Sequence, residues 1–108
     1  MSTQRIRELN DIFRLDPARW GRLLLTCGVN DKGQSFVARA LHEVKTFTAF
    51  DSGNDPHHEH DFGAFDLDAE KVFWKIDYYN TTLDGGSEDP SDPTQTTRVL
   101  TVMLASEY

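Results

Sequence analysis

Two nine-residue segments on either side of Asp68-Ala69-Glu70 constrain the fold of this chain more than any other feature. Glu59 to Leu67 (EHDFGAFDL) and Lys71 to Tyr79 (KVFWKIDYY) are rich in aromatic and β-branched residues and meet at a short turn, the pattern of a β-hairpin. With Asp68-Ala69-Glu70 as the loop, Leu67 pairs with Lys71, so Ala64 stands opposite Trp74 and Phe62 opposite Ile76. That register gathers Phe62, Ala64, Val72, Trp74 and Ile76 on one apolar face. It sets Asp61 directly opposite Asp77 on the other face, with Lys75 diagonal to them. An isolated hairpin is marginal in water, so the rest of the chain must cover its apolar face.

The segments available for that work read as follows. Ile6, Leu9, Ile12 and Phe13 recur at three- and four-residue spacing between Thr3 and Leu15, which predicts an amphipathic helix with Ser2 or Thr3 as N-cap and Asp16-Pro17 as its stop. Arg22 to Val29 (RLLLTCGV) is a short apolar run that predicts a buried strand. After the turn residues Asn30 to Gly33, Phe36, Val37, Ala40, Leu41 and Val44 mark one face of a second helix, capped by Ser35. Lys45 to Phe50 (KTFTAF) alternates and predicts another strand, and Thr96 to Ala105 (TTRVLTVMLA) predicts the last. Strands gathered after helices point to an α+β fold, a mainly antiparallel sheet of four to five strands with two helices packed on it.

Length and composition set the remaining bounds. A chain of 108 residues, 38% apolar and 11% aromatic, has enough apolar material for a single domain, 1–108, and little room for a second. No apolar run reaches the roughly 18 residues of a membrane span, and the first residues lack the layout of a secretory signal. The expectation is a soluble cytoplasmic protein with no membrane partner. Cys27, the single cysteine, has no partner for an internal disulfide, and its apolar neighbours Leu23 to Leu25 and Val29 predict a buried, inert thiol. Charge is unevenly placed: residues 1–50 carry eight bases and five acids, net +3, and residues 51–108 carry three and thirteen, net -10. Asn80 to Pro93 (NTTLDGGSEDPSDP) reads as an acidic exposed loop. Such a surface repels a phosphate backbone, which disfavours direct nucleic-acid binding, and attracts a protein partner with a basic surface.

The blocks NDPHHEHDFGAF, FWKIDYYN, GSEDPSDP and TTRVLTVMLASEY occur in fixed order. With them the chain, from about Ile6 to Tyr108, resembles a small bacterial family known as domain of unknown function 3768. Within the first block Asn54-Asp55-Pro56 and Glu59-His60-Asp61-Phe62-Gly63 match the family pattern, whereas His57 and His58 fall where the family varies. The resemblance implies no activity. It implies carriage on plasmids or other mobile DNA.

Two constellations carry chemistry. His57, His58, Glu59, His60 and Asp61 are five consecutive metal-ligating types, and on a strand His58 and His60 would share a face. His58, His60 and Asp61 are the metal candidates, for a divalent ion such as zinc. The facing pair Asp61 and Asp77 needs a cation, Lys75 or a raised carboxyl pKa to relieve its repulsion. Glu59, His60, Asp61, Lys75, Asp77 and Tyr79 are therefore the candidate binding residues, and no residue is assigned as catalytic. G-x-x-x-x-G-K, G-x-G-x-x-G and G-x-S-x-G patterns are absent, so nucleotide-binding and serine-hydrolase readings have no support. The leading reading is a non-catalytic accessory protein without a cofactor that binds another protein. A narrower version is an inhibitor filling the nucleic-acid channel of a host defence protein. The alternative is a small metal-dependent enzyme of hydrolase type built on His58, His60, Asp61 and Asp77.

Overall fold

β4 (Thr97–Leu104) lies inside the sheet with neighbours on both sides, and its burial on both faces explains the near-continuous apolar run of its sequence. A computed structural model describes residues 2–108. In chain order the elements are α1 (Thr3–Leu15), the single turn α2 (Pro17–Trp20), β1 (Arg22–Leu25), the single turn α3 (Cys27–Asn30), α4 (Gln34–Thr46), β2 (Phe62–Leu67), β3 (Glu70–Tyr79), β4, and a closing 3₁₀ turn over Ala105–Glu107. The sheet order is β1-β4-β3-β2, with β1 parallel to β4 and the other two pairings antiparallel. The class is α+β, as expected. Two of the three pairings are antiparallel and the third is parallel, so the four-stranded sheet is mixed, and two short helices join the two expected long ones.

α1 begins where the sequence places it, because the Ser2 hydroxyl accepts the Arg5 amide at 3.1 Å and satisfies one of the free donors of the first turn. Both long helices pack on the same side of the sheet. Phe13 from α1 and Phe36, Ala40 and Val44 from α4 meet Val72, Trp74 and Ile76 of β3 and Leu100, Val102 and Leu104 of β4. Trp74 is fully buried at the centre. Gly63 lies under its indole: a Cβ there would sit 2.4 Å from Trp74 Nε1 and 2.9 Å from the Phe47 ring, so only glycine fits this point of β2. Arg14, also buried, donates Nη1 to the carbonyls of Val44 at 2.7 Å and Phe47 at 3.1 Å, placing a cation at the C-terminus of α4.

Three expected elements differ. The Arg22-to-Val29 strand stops at Leu25, because Thr26 turns the chain into α3, where Glu107 accepts from the Thr26 hydroxyl at 2.6 Å and from the Gly28 amide at 2.9 Å. That turn brings Val29 into the core and leaves Cys27 exposed, against the expectation of a buried thiol. Lys45 to Phe50 forms no strand. α4 runs on to Thr46, and a tight bend from the Phe50 amide to the Thr48 carbonyl, 2.8 Å, breaks the extended backbone. Phe47 and Phe50 instead set ring edges against Trp74, at centroid distances of 5.6 and 6.1 Å.

The third difference is the register of the hairpin. Its loop is Asp68-Ala69 alone, both residues with positive φ (51° and 64°), so Leu67 pairs with Glu70 rather than with Lys71. Every pair therefore shifts by one residue: Phe62 faces Lys75, Gly63 faces Trp74, and Phe65 faces Val72. The slip exchanges the faces of β2. Gly63 and Phe65 now share the helix side with Trp74 and Val72, and Phe62 and Ala64 lie on the open side.

Candidate functional site

The same slip takes apart the pair on which the sequence reading rested. The Ile76 amide donates to the Asp61 carbonyl at 2.8 Å, so Asp61 stands opposite Ile76 and not opposite Asp77. Asp77 pairs across β4 with Val99 and takes the Lys75 ammonium at 3.1 Å within its own strand. Of the candidate residues, Glu59, His60 and Asp61 gather at the end of the sheet beneath α1, and Lys75, Asp77 and Tyr79 lie on the uncovered face. One expected site is two places.

The first is built by the segment before β2. Asp51 Oδ1 accepts the amides of Gly53 and Asn54, the Asn54 side chain accepts the Asp51 amide, and its Nδ2 donates to the Ala49 carbonyl, a local Asx network that fixes this turn. Asp55 is buried, and its Oδ1 accepts the amides of Glu59 and His60 at 3.0 and 3.1 Å. His58 and His60 both take positive φ (58° and 56°), so they belong to a turn and not to the strand that would have set them side by side. His58 is exposed, with its carbonyl held by Arg7 at 3.0 Å. His60 points inward, stacked flat on Phe50 at 3.8 Å, with Nδ1 2.9 Å from Asp11 Oδ1 and Nε2 3.8 Å from Asp55 Oδ2. Among the described residues no three His, Cys, Asp or Glu side chains are gathered to hold a metal ion.

Behind this turn runs a polar chain through the core. Asn10, wholly buried on α1, donates Nδ2 to the Glu59 carbonyl at 2.9 Å and to the Tyr78 hydroxyl at 2.8 Å. Its Oδ1 accepts Arg98 Nε at 2.7 Å. Tyr78 donates its own proton to Glu59 Oε1 at 2.7 Å. Burial first, then the hydrogen bond to Glu59, drives the Tyr78 pKa far above the ordinary phenol value. Burial also raises the Asp61 carboxyl, and the negative charge of Glu59 adds to the effect. The network joins α1, the turn, β3 and β4 through the three bonds of the Asn10 amide, which is the behaviour of a structural pin.

The second place is the face of the sheet opposite the two long helices. A groove of about 580 Å³ runs over Leu24 of β1, Val99 and Met103 of β4 and Leu83 of the loop between β3 and β4, with Arg22, Lys75, Asp77 and Tyr79 also lining it. Leu24 is 54% exposed, Leu83 39% and Tyr79 37%. The far end of the face is closed by Tyr108, whose ring lies 5.5 Å from Phe73 and 6.3 Å from Phe62. The acidic loop sits at the near end and is more ordered than its composition suggests. Asp84 accepts from Thr82 and Asn80, and Asp92 from Thr94 and Gln95, bonds that hold both carboxyls below their usual pKa. Asp89 likewise accepts from the Ser91 hydroxyl and amide.

Sequence reasoning missed Asn10, Asp11, Asp55, Phe50, Tyr78 and Arg98. Tyr78 had a signal, since it continues the alternation of Val72, Trp74 and Ile76 onto the covered face. Asn10 and Arg98 had none, because 88 residues separate the partners of that bond.

Fold and sites together define a two-layer α+β protein, pinned by a buried polar network on one side of its sheet and uncovered on the other. The chain belongs to the family described as "Protein of unknown function (DUF3768)", whose family model matches residues 25–107. No curated protein and no solved structure matches the chain.

Proposed function

We propose that this protein is a non-catalytic binding module that docks a protein partner through the open face of its sheet, the partner carrying a basic surface that meets the acidic loop beside the groove. The observation that carries this reading is the groove itself: exposed Leu24 and Leu83 beside a buried floor of Val99 and Met103, rimmed by Arg22, Lys75, Asp77 and Tyr79. Apolar centres with polar rims and an exposed tyrosine are the anatomy of interfaces between proteins. Lys75, Asp77 and Tyr79 are binding residues in this reading. Glu59, His60 and Asp61 shape the fold that presents the face.

Charge favours a basic partner, since the chain carries net -7 and most of its acids fall in the half that includes this loop. Filling the nucleic-acid channel of a basic protein is one way such a module would act. The test places a photo-crosslinking residue at Tyr79 and, separately, at Glu43 on the exposed side of α4, and crosslinks in the native host. Reaction with one basic protein from position 79 and not from position 43 is the expected result. The purified partner should then associate more slowly as salt rises, and more slowly with Glu88→Lys. Crosslinks from position 43 alone, or association indifferent to salt, would sink the reading.

A further inference from the structure

Arg98 opens the helix side of β4 with only 5% of the residue exposed, and no acid neutralises it directly. Nε donates to Asn10, Nη2 donates to the Pro90 carbonyl, and the guanidinium carbon lies 5.2 Å from the centre of the Tyr78 ring. All three partners are neutral. Among the described residues no carboxylate oxygen lies within 4.0 Å of this guanidinium, and Nη1 makes no hydrogen bond. Glu59 reaches it only as a charge at a distance, without direct contact, and the charge of Arg5 opposes that influence. Burial accordingly lowers the Arg98 pKa. A buried cation without a counter-ion is costly to keep, and an arriving anion relieves that cost.

The anion has a place to lie. Arg98 lines a groove of about 330 Å³ between α1, α2 and the loop before β4, with Leu9, Ile12, Phe13, Trp20 and Pro93 as apolar walls and with Thr96, whose hydroxyl donates to the Asp89 carbonyl. Trp20 is 54% exposed and Ile12 47%, so the mouth offers an indole face and a branched alkyl group to solvent. This volume is at the small end of ligand pockets. One guanidinium balances one negative charge, and apolar walls give nothing to the further oxygens of a phosphate dianion. We propose that this groove binds a small amphiphilic carboxylate, its oxygens on Arg98 and its aryl or branched-alkyl body against Trp20 and Ile12. The site is separate from the open sheet face and does not depend on the function proposed for that face.

The test uses the full chain and follows the indole N–H resonance of Trp20, one of two tryptophans, by NMR. Titration with 4-phenylbutyrate should give a saturable shift, and 4-phenylbutyramide should bind at least about tenfold more weakly. N-acetyl-glycyl-phenylalanine with a free carboxylate, compared with its amide, separates two sources of the same chemistry. Tighter binding of that peptide than of 4-phenylbutyrate assigns the ligand to a chain terminus, and weaker binding to a free small acid. Arg98→Gln should abolish binding, but this residue also holds Asn10. Ile12→Glu, at the exposed mouth, therefore supplies a second variant that should fold normally and lose at least about tenfold in affinity. Equal affinity for acid and amide, no saturable shift up to about 10 mM, or unchanged affinity in folded Ile12→Glu would overturn the proposal.

Discussion

Asp61 shows at the scale of one residue how much a register is worth. Opposite Asp77 it would have been half of an exposed acidic pair. Opposite Ile76 it is partly buried near Glu59, with its carboxyl pKa raised by burial. A raised folded-state pKa means that the folded chain holds this proton more tightly than the unfolded chain. Stability from this group is full below the ordinary carboxyl value of 3.8 and is lost as pH rises through the folded value. Asp61→Asn removes the titration, so the variant should be more stable than the parent at pH 7, by on the order of 0.5 kcal/mol after solvent screening. The gain should vanish near pH 3, as denaturant midpoints across that range would show. A variant less stable at pH 7 would mean that Asp61 serves as an ionised partner.

At the scale of elements, turns decided what periodicity left open. The Asp68-Ala69 turn needs both residues in the left-handed region, where a non-glycine residue costs roughly 1–2 kcal/mol. Glycine relieves that strain but loses about 0.4–1 kcal/mol through a freer unfolded chain. Ala69→Gly should therefore stabilise the protein by about 0.5–1 kcal/mol in equilibrium unfolding. A loss would show that the Ala69 methyl makes contacts outweighing its strain. The α3 turn makes the opposite point about Cys27, whose apolar neighbours predicted an inert thiol. Exposed at the start of that turn, it should react with a thiol reagent in native protein within about tenfold of its rate in denaturant. Slow labelling would return it to the interior.

At the scale of the whole molecule, one asparagine ties distant parts together. Asn10 links α1 to the turn before β2, to β3 through Tyr78 and to β4 through Arg98. Asn10→Ala would leave the Arg98 guanidinium and the Glu59 carbonyl short of buried partners, at a cost of about 3 kcal/mol. Hydrogen exchange should quicken together in α1 and in residues 55–61, because they share this anchor. Loosening of α1 alone would place the link elsewhere.

Local chemistry in the sequence sufficed for the elements that stand on their own patterns. The 3.6-residue spacing of Ile6, Leu9 and Phe13 bounded by Ser2 and Asp16, the face of Phe36, Ala40 and Val44, and the β-branched run of β4 each state their conformation within a dozen residues. The candidate site was legible only as a list of residues. Lys75, Asp77 and Tyr79 share a face because they alternate on one strand, and alternation is local. Whether Asp61 joins them depends on the hairpin loop having two residues or three, a choice settled when Gly63 slides beneath the Trp74 indole. Arg98 meets Asn10 only when β4 enters the sheet under α1. Contacts between residues so far apart are set by packing the whole core, where one residue of register turns every side chain of a strand to its other face.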